Sequence, residues 1–149
     1  MSIGKFCNRN VVCAKRETSV VDAALLMRRH HIGDVVVVDE TSEGRRPVGI
    51  VTDRDLVVEV LSAGLDPGAV KVGDLLIRPL VTIEEGTGYM EAVRLMASRG
   101  VRRIPVVSPG GLLVGIVSFD DLLHQLAVPL AELSELAIRE WRQEAQARQ

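Results

Sequence analysis

Two short stretches of this 149-residue chain carry residue types suited to chemistry, and they carry them at one spacing. Gly49-Ile-Val-Thr52-Asp-Arg-Asp55 and Gly115-Ile-Val-Ser118-Phe-Asp-Asp121 share a form: Gly, two apolar residues, a hydroxyl residue, and Asp three positions later. A hydroxyl and free backbone N–H groups at the start of a helix favour a phosphate. A carboxylate one turn further on accepts hydrogen bonds from both hydroxyls of a ribose. Together these groups hold the sugar and phosphate of a nucleotide without catalysing anything. The same spacing is also that of a helix cap, in which the hydroxyl and the carboxylate each bond the other's backbone N–H. Duplication copies a cap as readily as a binding site, so the residues alone leave both readings open.

Other reactive residues form no constellation. His30, His31 and His124 have no Cys or carboxylate at metal-ligand spacing and read as surface histidines, so no metal site is expected. There is no GxSxG, no glycine loop closing on Lys, and no nucleophile–base pair, so no catalytic residue and no obligatory cofactor is expected. Cys7 and Cys13 lack CxxC spacing. They read as buried or partly exposed thiols in a reducing compartment, with a redox switch as the alternative.

Composition narrows the partners. Eighteen Lys and Arg against 20 Asp and Glu give a net charge of −2, which supplies no basic face for nucleic acid. One Trp, one Tyr and two Phe offer few platforms for stacking bases. No apolar run reaches signal-peptide or membrane-spanning length, so a cytoplasmic protein without membrane contact is expected. Hydrophobic residues are 47% of the chain and aromatics 3%, so the core must be built from Val, Leu, Ile, Ala and Met.

An internal repeat explains why the chemistry occurs twice. Residues 11–39 align with residues 80–108, Thr18 over Thr87, Met27 over Met96 and Val38 over Val107, a shift of 69 positions. The stretches 48–56 and 114–122 align with a shift of 66, the difference falling in the intervening turn. Each copy reads as a short apolar strand (residues 11–14 and 80–83), then a helix with apolar residues 20, 23, 24 and 27, or 92, 93 and 96, on one face. Gly33 and Gly100 are expected to punctuate the helix ends. Two β-branched runs joined by a Gly-containing turn follow, with the first pair at residues 35–38 and 48–51, and a second helix begins at Thr52 or Ser118. Strands apolar throughout imply cover on both faces.

The expected fold is therefore α/β (α+β by some schemes), with two β-α-β-β-α repeats packed about a pseudo-twofold axis. The first repeat spans 1–66 and the second 67–128, with residues 69–78 crossing between them. Residues 129–149 form a further helix after Pro129, with Leu130, Leu133, Ala137 and Trp141 on one face. That helix either folds back on its own module or makes a dimer contact, and its last Gln- and Arg-rich residues are expected to fray.

The order of elements, with HHIGDVVVVD…GIVTDRDL and RGVRRIPVVS…GIVSFDDL, resembles the CBS-domain family. In particular it resembles the tandem pair, or Bateman module, of small stand-alone prokaryotic proteins. The resemblance covers about residues 7–127. It implies a regulatory module binding an adenosine-containing ligand such as AMP, ADP, ATP or S-adenosylmethionine between the halves. Thr52 and Ser118 then lie near phosphate or ribose, Asp55 and Asp121 on the ribose hydroxyls, and adenine against the backbone around Val12, Cys13, Val81 or Thr82. In the family a basic pair ahead of the second strand reaches phosphates held by the partner half. Arg102 and Arg103 fill that position in the second repeat, whereas the first repeat has Gly33 and Asp34. This implies a strong site of Thr52, Asp55, Arg102 and Arg103, and a weaker one of Ser118 and Asp121. The plainer reading of the arginines is a solvated charge pair. The resemblance also implies a homodimer and a separate effector protein. The alternative is a structural or interaction scaffold with vestigial clefts, working through its last helix.

Overall fold

In the computed structural model, which describes residues 1–147, each repeat builds its own three-stranded sheet. β1 (Cys13–Ala14), β2 (Asp34–Thr41) and β3 (Gly44–Thr52) form the first, and β4 (Ile83–Glu84), β5 (Arg103–Val107) and β6 (Leu113–Ser118) the second. In both, the opening strand runs parallel to the second, and the second runs antiparallel to the third. Helix α1 (Val20–His30) connects β1 to β2, and α3 (Tyr89–Arg99) connects β4 to β5. β3 leads into α2 (Asp53–Asp55), which continues as a π-helical stretch over Leu56–Leu61, and β6 leads into α4 (Phe119–Ala147). The β-α-β-β-α order appears twice, with opening strands of only two residues.

Local chemistry sets the helix ends. Ser19 caps α1 by accepting from the Asp22 N–H at 3.1 Å, and Val20, Ala23 and Met27 form its buried face. Gly100 ends α3 in the left-handed region, as expected (φ 62°). At the equivalent end of α1 the left-handed residue is His31 (φ 54°), not Gly33. The fold imposes that conformation on both repeats, and His31 bears a cost of about 1–2 kcal/mol that glycine avoids.

The two faces of each sheet do different work. Val35, Val37 and Val51 join Ala23 and Met27 in one core cluster, and Ile104, Val106 and Val117 join Ala92 and Met96 in the other. Val36 and Pro105, at equivalent positions, lie outside those clusters and are still fully buried. The sheets cover each other on that side, with β3 against β6. This double cover is why Val35–Val38 and Ile104–Val107 are unbroken apolar runs.

Neither repeat completes its core alone. A 3-10 turn at Ile3–Lys5 places Ile3 and Cys7 in the cluster of the second repeat, where the N–H groups of Ile3 and Gly4 donate to the carbonyls of Thr87 and Glu85. A matching turn at Val72–Leu75 places Val72 in the cluster of the first repeat, with its N–H on the Thr18 carbonyl. The repeats thus exchange their leading segments. The residues expected to cross between the halves are themselves a core component of the first.

The last helix starts earlier than expected. It begins at Phe119 and passes through Pro129 without ending there. Pro129 lacks one N–H and leaves the Gln125 carbonyl without its helical donor, which an exposed helix tolerates because water is at hand. The helix also does not fold back: all of residues 127–147 are exposed, with Leu133 63% and Trp141 70% accessible. Of the last Gln- and Arg-rich residues expected to fray, those up to Ala147 continue the helix, and residues 148 and 149 lie outside the described residues. No helix among the described residues is long and apolar enough to cross a membrane.

The exchanged leaders require small residues beneath them. A Cβ on Gly115 would lie 2.6 Å from the Cys7 sulfur, and one on Gly49 would strike Leu76. Gly115→Ala is expected to cost about 1–3 kcal/mol in urea unfolding. Gly86→Ala, where a Cβ meets nothing within 4 Å, should leave stability nearly unchanged.

Candidate functional site

Thr52 and Ser118 end their strands at the same side of each sheet, and both act as helix caps. The Asp55 N–H donates to Thr52 Oγ1 at 3.1 Å, and the Thr52 N–H donates to Asp55 Oδ2 at 2.8 Å. Ser118 and Asp121 repeat this geometry, at 3.1 and 2.8 Å. Here the Ser118 hydroxyl also donates to Asp121 Oδ2 at 2.7 Å. Among the described residues the Thr52 hydroxyl proton has no acceptor, so it is the one free to meet a ligand oxygen. The other oxygen, Oδ1, of both carboxylates stays outside the cap. Capping and ligand binding are compatible uses of the same residues.

One ion pair joins the two sites. Asp34 opens β2 directly opposite Thr52, and Arg103 opens β5 directly opposite Ser118. The two positions are equivalent under the repeat, and their side chains meet across the pseudo-twofold axis with Nε 2.6 Å from Oδ2. Asp34 is 10% exposed at its side chain and Arg103 37%. Burial raises the Asp34 pKa above the usual carboxylate range; Arg103 opposes that shift, and the neighbouring Asp53 adds to it. Arg103 therefore does reach the neighbourhood of Thr52, but it arrives paired. Arg102 does not reach it: its guanidinium lies 5.1 Å from the centre of the Phe119 ring and 3.9 Å from Asp120, within its own repeat.

The backbone expected near adenine also differs between repeats. The Val12 carbonyl accepts the Val36 N–H at 3.1 Å. At the position equivalent to Val36 the second repeat has Pro105, which has no N–H to give to Val81, the counterpart of Val12. Among the described residues no backbone N–H donates to the Val81 carbonyl. Cys13 and Thr82 adjoin these positions, Cys13 as the first residue of β1. Pro105 stands in the sequence as a signal for this difference, although the pairing is needed to interpret it.

Two apolar grooves lie elsewhere, on the helical faces. One, of about 460 Å³, runs between α3 and the start of α4, lined by Tyr89, Val93, Phe119, Leu123 and Leu126. The other, of about 400 Å³, occupies the equivalent face of the first repeat, lined by Val21, Leu25, Val57 and Leu61. Neither contains Thr52, Asp55, Ser118 or Asp121, so they are surfaces rather than nucleotide clefts. Burial is the main cause that raises the pKa of both thiols, Cys7 and Cys13, which leaves them protonated and weakly nucleophilic. Among the described residues no group of three or more His, Cys, Asp or Glu is placed to hold a metal ion.

The CBS-domain profile matches residues 3–62 and again residues 72–128, each match taking in the exchanged leader. The chain belongs to the CBS-domain family. This CBS pair is 39% identical over 135 residues to the uncharacterised protein MK0525 of Methanopyrus kandleri, covering 91% of this chain and 67% of that one. It superposes on the crystal structure of Hypoxic Response Protein I, solved with two coordinated zinc ions. There the TM-score is 0.72 and the identity 32%, over 83% of this chain and 98% of the other. It also shares its fold with PAE2072 of Pyrobaculum aerophilum, solved in complex with AMP, at a TM-score of 0.72 and 21% identity over 86% and 99% of the chains.

Breaking the ion pair tests its role in joining the halves. Removing the guanidinium leaves a buried carboxylate facing Asp53. A fully buried pair broken on one side costs ~3–5 kcal/mol, and the partial exposure of Arg103 reduces this to about 2 kcal/mol. Because the folded-state pKa of Asp34 is raised, the folded chain holds its proton to higher pH than the unfolded chain. The penalty is therefore present at neutral pH and relieved as pH falls through that raised value. Arg103→Ala should melt lower than wild type at pH 7, with the deficit shrinking in acid. Adding Asp34→Asn to Arg103→Ala should remove that pH dependence.

Proposed function

We propose that this CBS pair is a regulatory sensor that binds an adenosine-containing ligand between its two repeats. The observation that carries the reading is the duplicated Thr52–Asp55 and Ser118–Asp121 geometry. Each presents a carboxylate oxygen outside the cap at the end of its strand, and the first also lies near the Arg103 guanidinium, supplied by the other repeat and held on Asp34. Ribose hydroxyls are natural donors to Asp55 or Asp121, and the open Val81 carbonyl is a natural acceptor for the adenine amino group. The AMP complex of PAE2072 supports the reading to the extent that this fold accommodates such a ligand. AMP, ADP, ATP and S-adenosylmethionine are all candidates on ribose chemistry alone. With the sites at a junction between halves, binding alters how the halves pack, and a separate effector protein reads that change.

The sensor acts as a homodimer in this reading. Leu122, Leu126, Leu130, Leu133, Ala137 and Trp141 form one continuous stripe along α4, starting inside the groove against α3 and running out along the exposed half. An exposed apolar stripe continuous with a groove needs cover, and a second copy supplies the same stripe by symmetry. The scaffold reading, in which the clefts are vestigial, shares this surface and differs only in predicting no ligand.

Thermal unfolding with each adenosine ligand at about 100 times its dissociation constant should show stabilisation of roughly 2.7 kcal/mol. Asp55→Ala and Asp121→Ala each remove a cap and lose about 1 kcal/mol without ligand, so the comparison is of ligand-induced shifts. A sensor loses its shift in at least one of these variants while remaining folded. No shift with any ligand in the wild-type protein leaves the scaffold reading. For the dimer, a chain ending at Val128 should elute and scatter light as a monomer where the whole chain is a dimer. An unchanged mass would refute α4 as the contact.

A further inference from the structure

We propose that Asp34 sets the charge selectivity of the Thr52 cleft, admitting adenosine ligands with at most one phosphate and rejecting di- and triphosphates. The inference rests on the nucleotide reading above and adds to it the class of ligand.

The argument begins with where the cation comes from. A phosphate at Thr52 looks to Arg103, whose guanidinium reaches this side of the junction from the other repeat. Asp34 already holds it, Nε to Oδ2 at 2.6 Å, and is itself the strand neighbour of Thr52. A phosphate that pulled Arg103 away would leave Asp34 buried, unpaired and facing Asp53, an arrangement far less favourable than the pair. Arg103 therefore stays on Asp34 and offers a ligand only its remaining N–H groups, which are partly exposed.

The charge that results is unfavourable to anions. The pair is neutral as a unit, while the carboxylates of Asp53 and Asp55 flank Thr52 in the next turn. A Cβ on Gly33 would lie 3.1 Å from Asp53 Oδ2, so this carboxylate is held against the segment that leads into Asp34. Arg102, the other cation of the basic pair, is turned away onto Phe119 and Asp120. One phosphate finds the Thr52 hydroxyl and the free edge of Arg103. Arg54, between Asp53 and Asp55, offsets one of their two charges, so a second or third phosphate still adds charge beside a turn that is net negative. Asp34 is decisive because it alone neutralises the guanidinium.

Titration calorimetry on the whole chain, in magnesium-free buffer, with adenosine, AMP and ATP provides the test. Wild-type protein should bind AMP at least as tightly as ATP. Raising the salt to about 0.3 M should improve ATP relative to AMP, because screening weakens repulsion. That arm needs no variant. In Asp34→Asn the freed guanidinium should strengthen ATP tenfold or more and AMP by a smaller factor, with adenosine unchanged. The double variant Asp34→Asn with Arg103→Gln should lose that gain. Tighter ATP than AMP in the wild type, or an equal change for all three ligands in Asp34→Asn, would overturn the proposal while leaving the nucleotide reading intact. Binding of none of the three to the wild-type protein would remove the nucleotide reading and this proposal with it.

Discussion

Each repeat of this protein has a core that only the other repeat's leading segment can complete. Ile3 and Cys7 fill the second cluster and Val72 fills the first, so the halves are tied by covalent connectivity as well as by contact. A half of some 60 residues is marginal as an independent domain. Exchange removes the option of folding separately, and it holds the two sheets face to face with Val36 and Pro105 buried between them. The relative placement of Thr52 and Ser118 follows from that constraint. So does the small size of Gly49 and Gly115, over which the leaders pass.

Within this near-symmetric frame, the two repeats differ at a few equivalent positions. Equivalent positions hold Asp34 and Arg103, Val36 and Pro105, His31 and Gly100. The first pair makes an attraction across the axis where two identical residues would repel or merely touch. The second leaves one carbonyl open and closes its counterpart. The third shows that the backbone conformation belongs to the fold rather than to the residue. Duplication supplied two capping motifs, and substitution at a few equivalent positions made their surroundings different.

The exposed half of α4 adds a surface to a module that is otherwise closed. The stripe that packs Leu122 into the second core continues along the same face to Trp141, where none of the described residues covers it. A helix of this length rests on packing rather than on propensity, and the dimer proposed above supplies that packing. The two apolar grooves, on equivalent helical faces, extend that surface across both repeats.

Periodicity and repetition in the sequence determined the elements, their order and the duplicated capping motif. Apolar spacing of 3 and 4 marked α1 and α3, and unbroken β-branched runs marked strands covered on both sides. Such signals are local, and local geometry fixes them. The Thr52–Asp55 and Ser118–Asp121 bonds were legible for the same reason, since all four residues lie within one helical turn of their partners. Tertiary structure alone decided which repeat each leader completes, because Ile3 and Val72 are equally apolar and each fits either core by type. It alone decided that Arg103 meets Asp34 while Arg102 turns to Phe119: Arg102 precedes β5 and Arg103 opens it, and only the packed halves show which of the two faces the other repeat. It decided also that Pro129 lies within a helix, because the cost of a missing N–H depends on whether water can replace it.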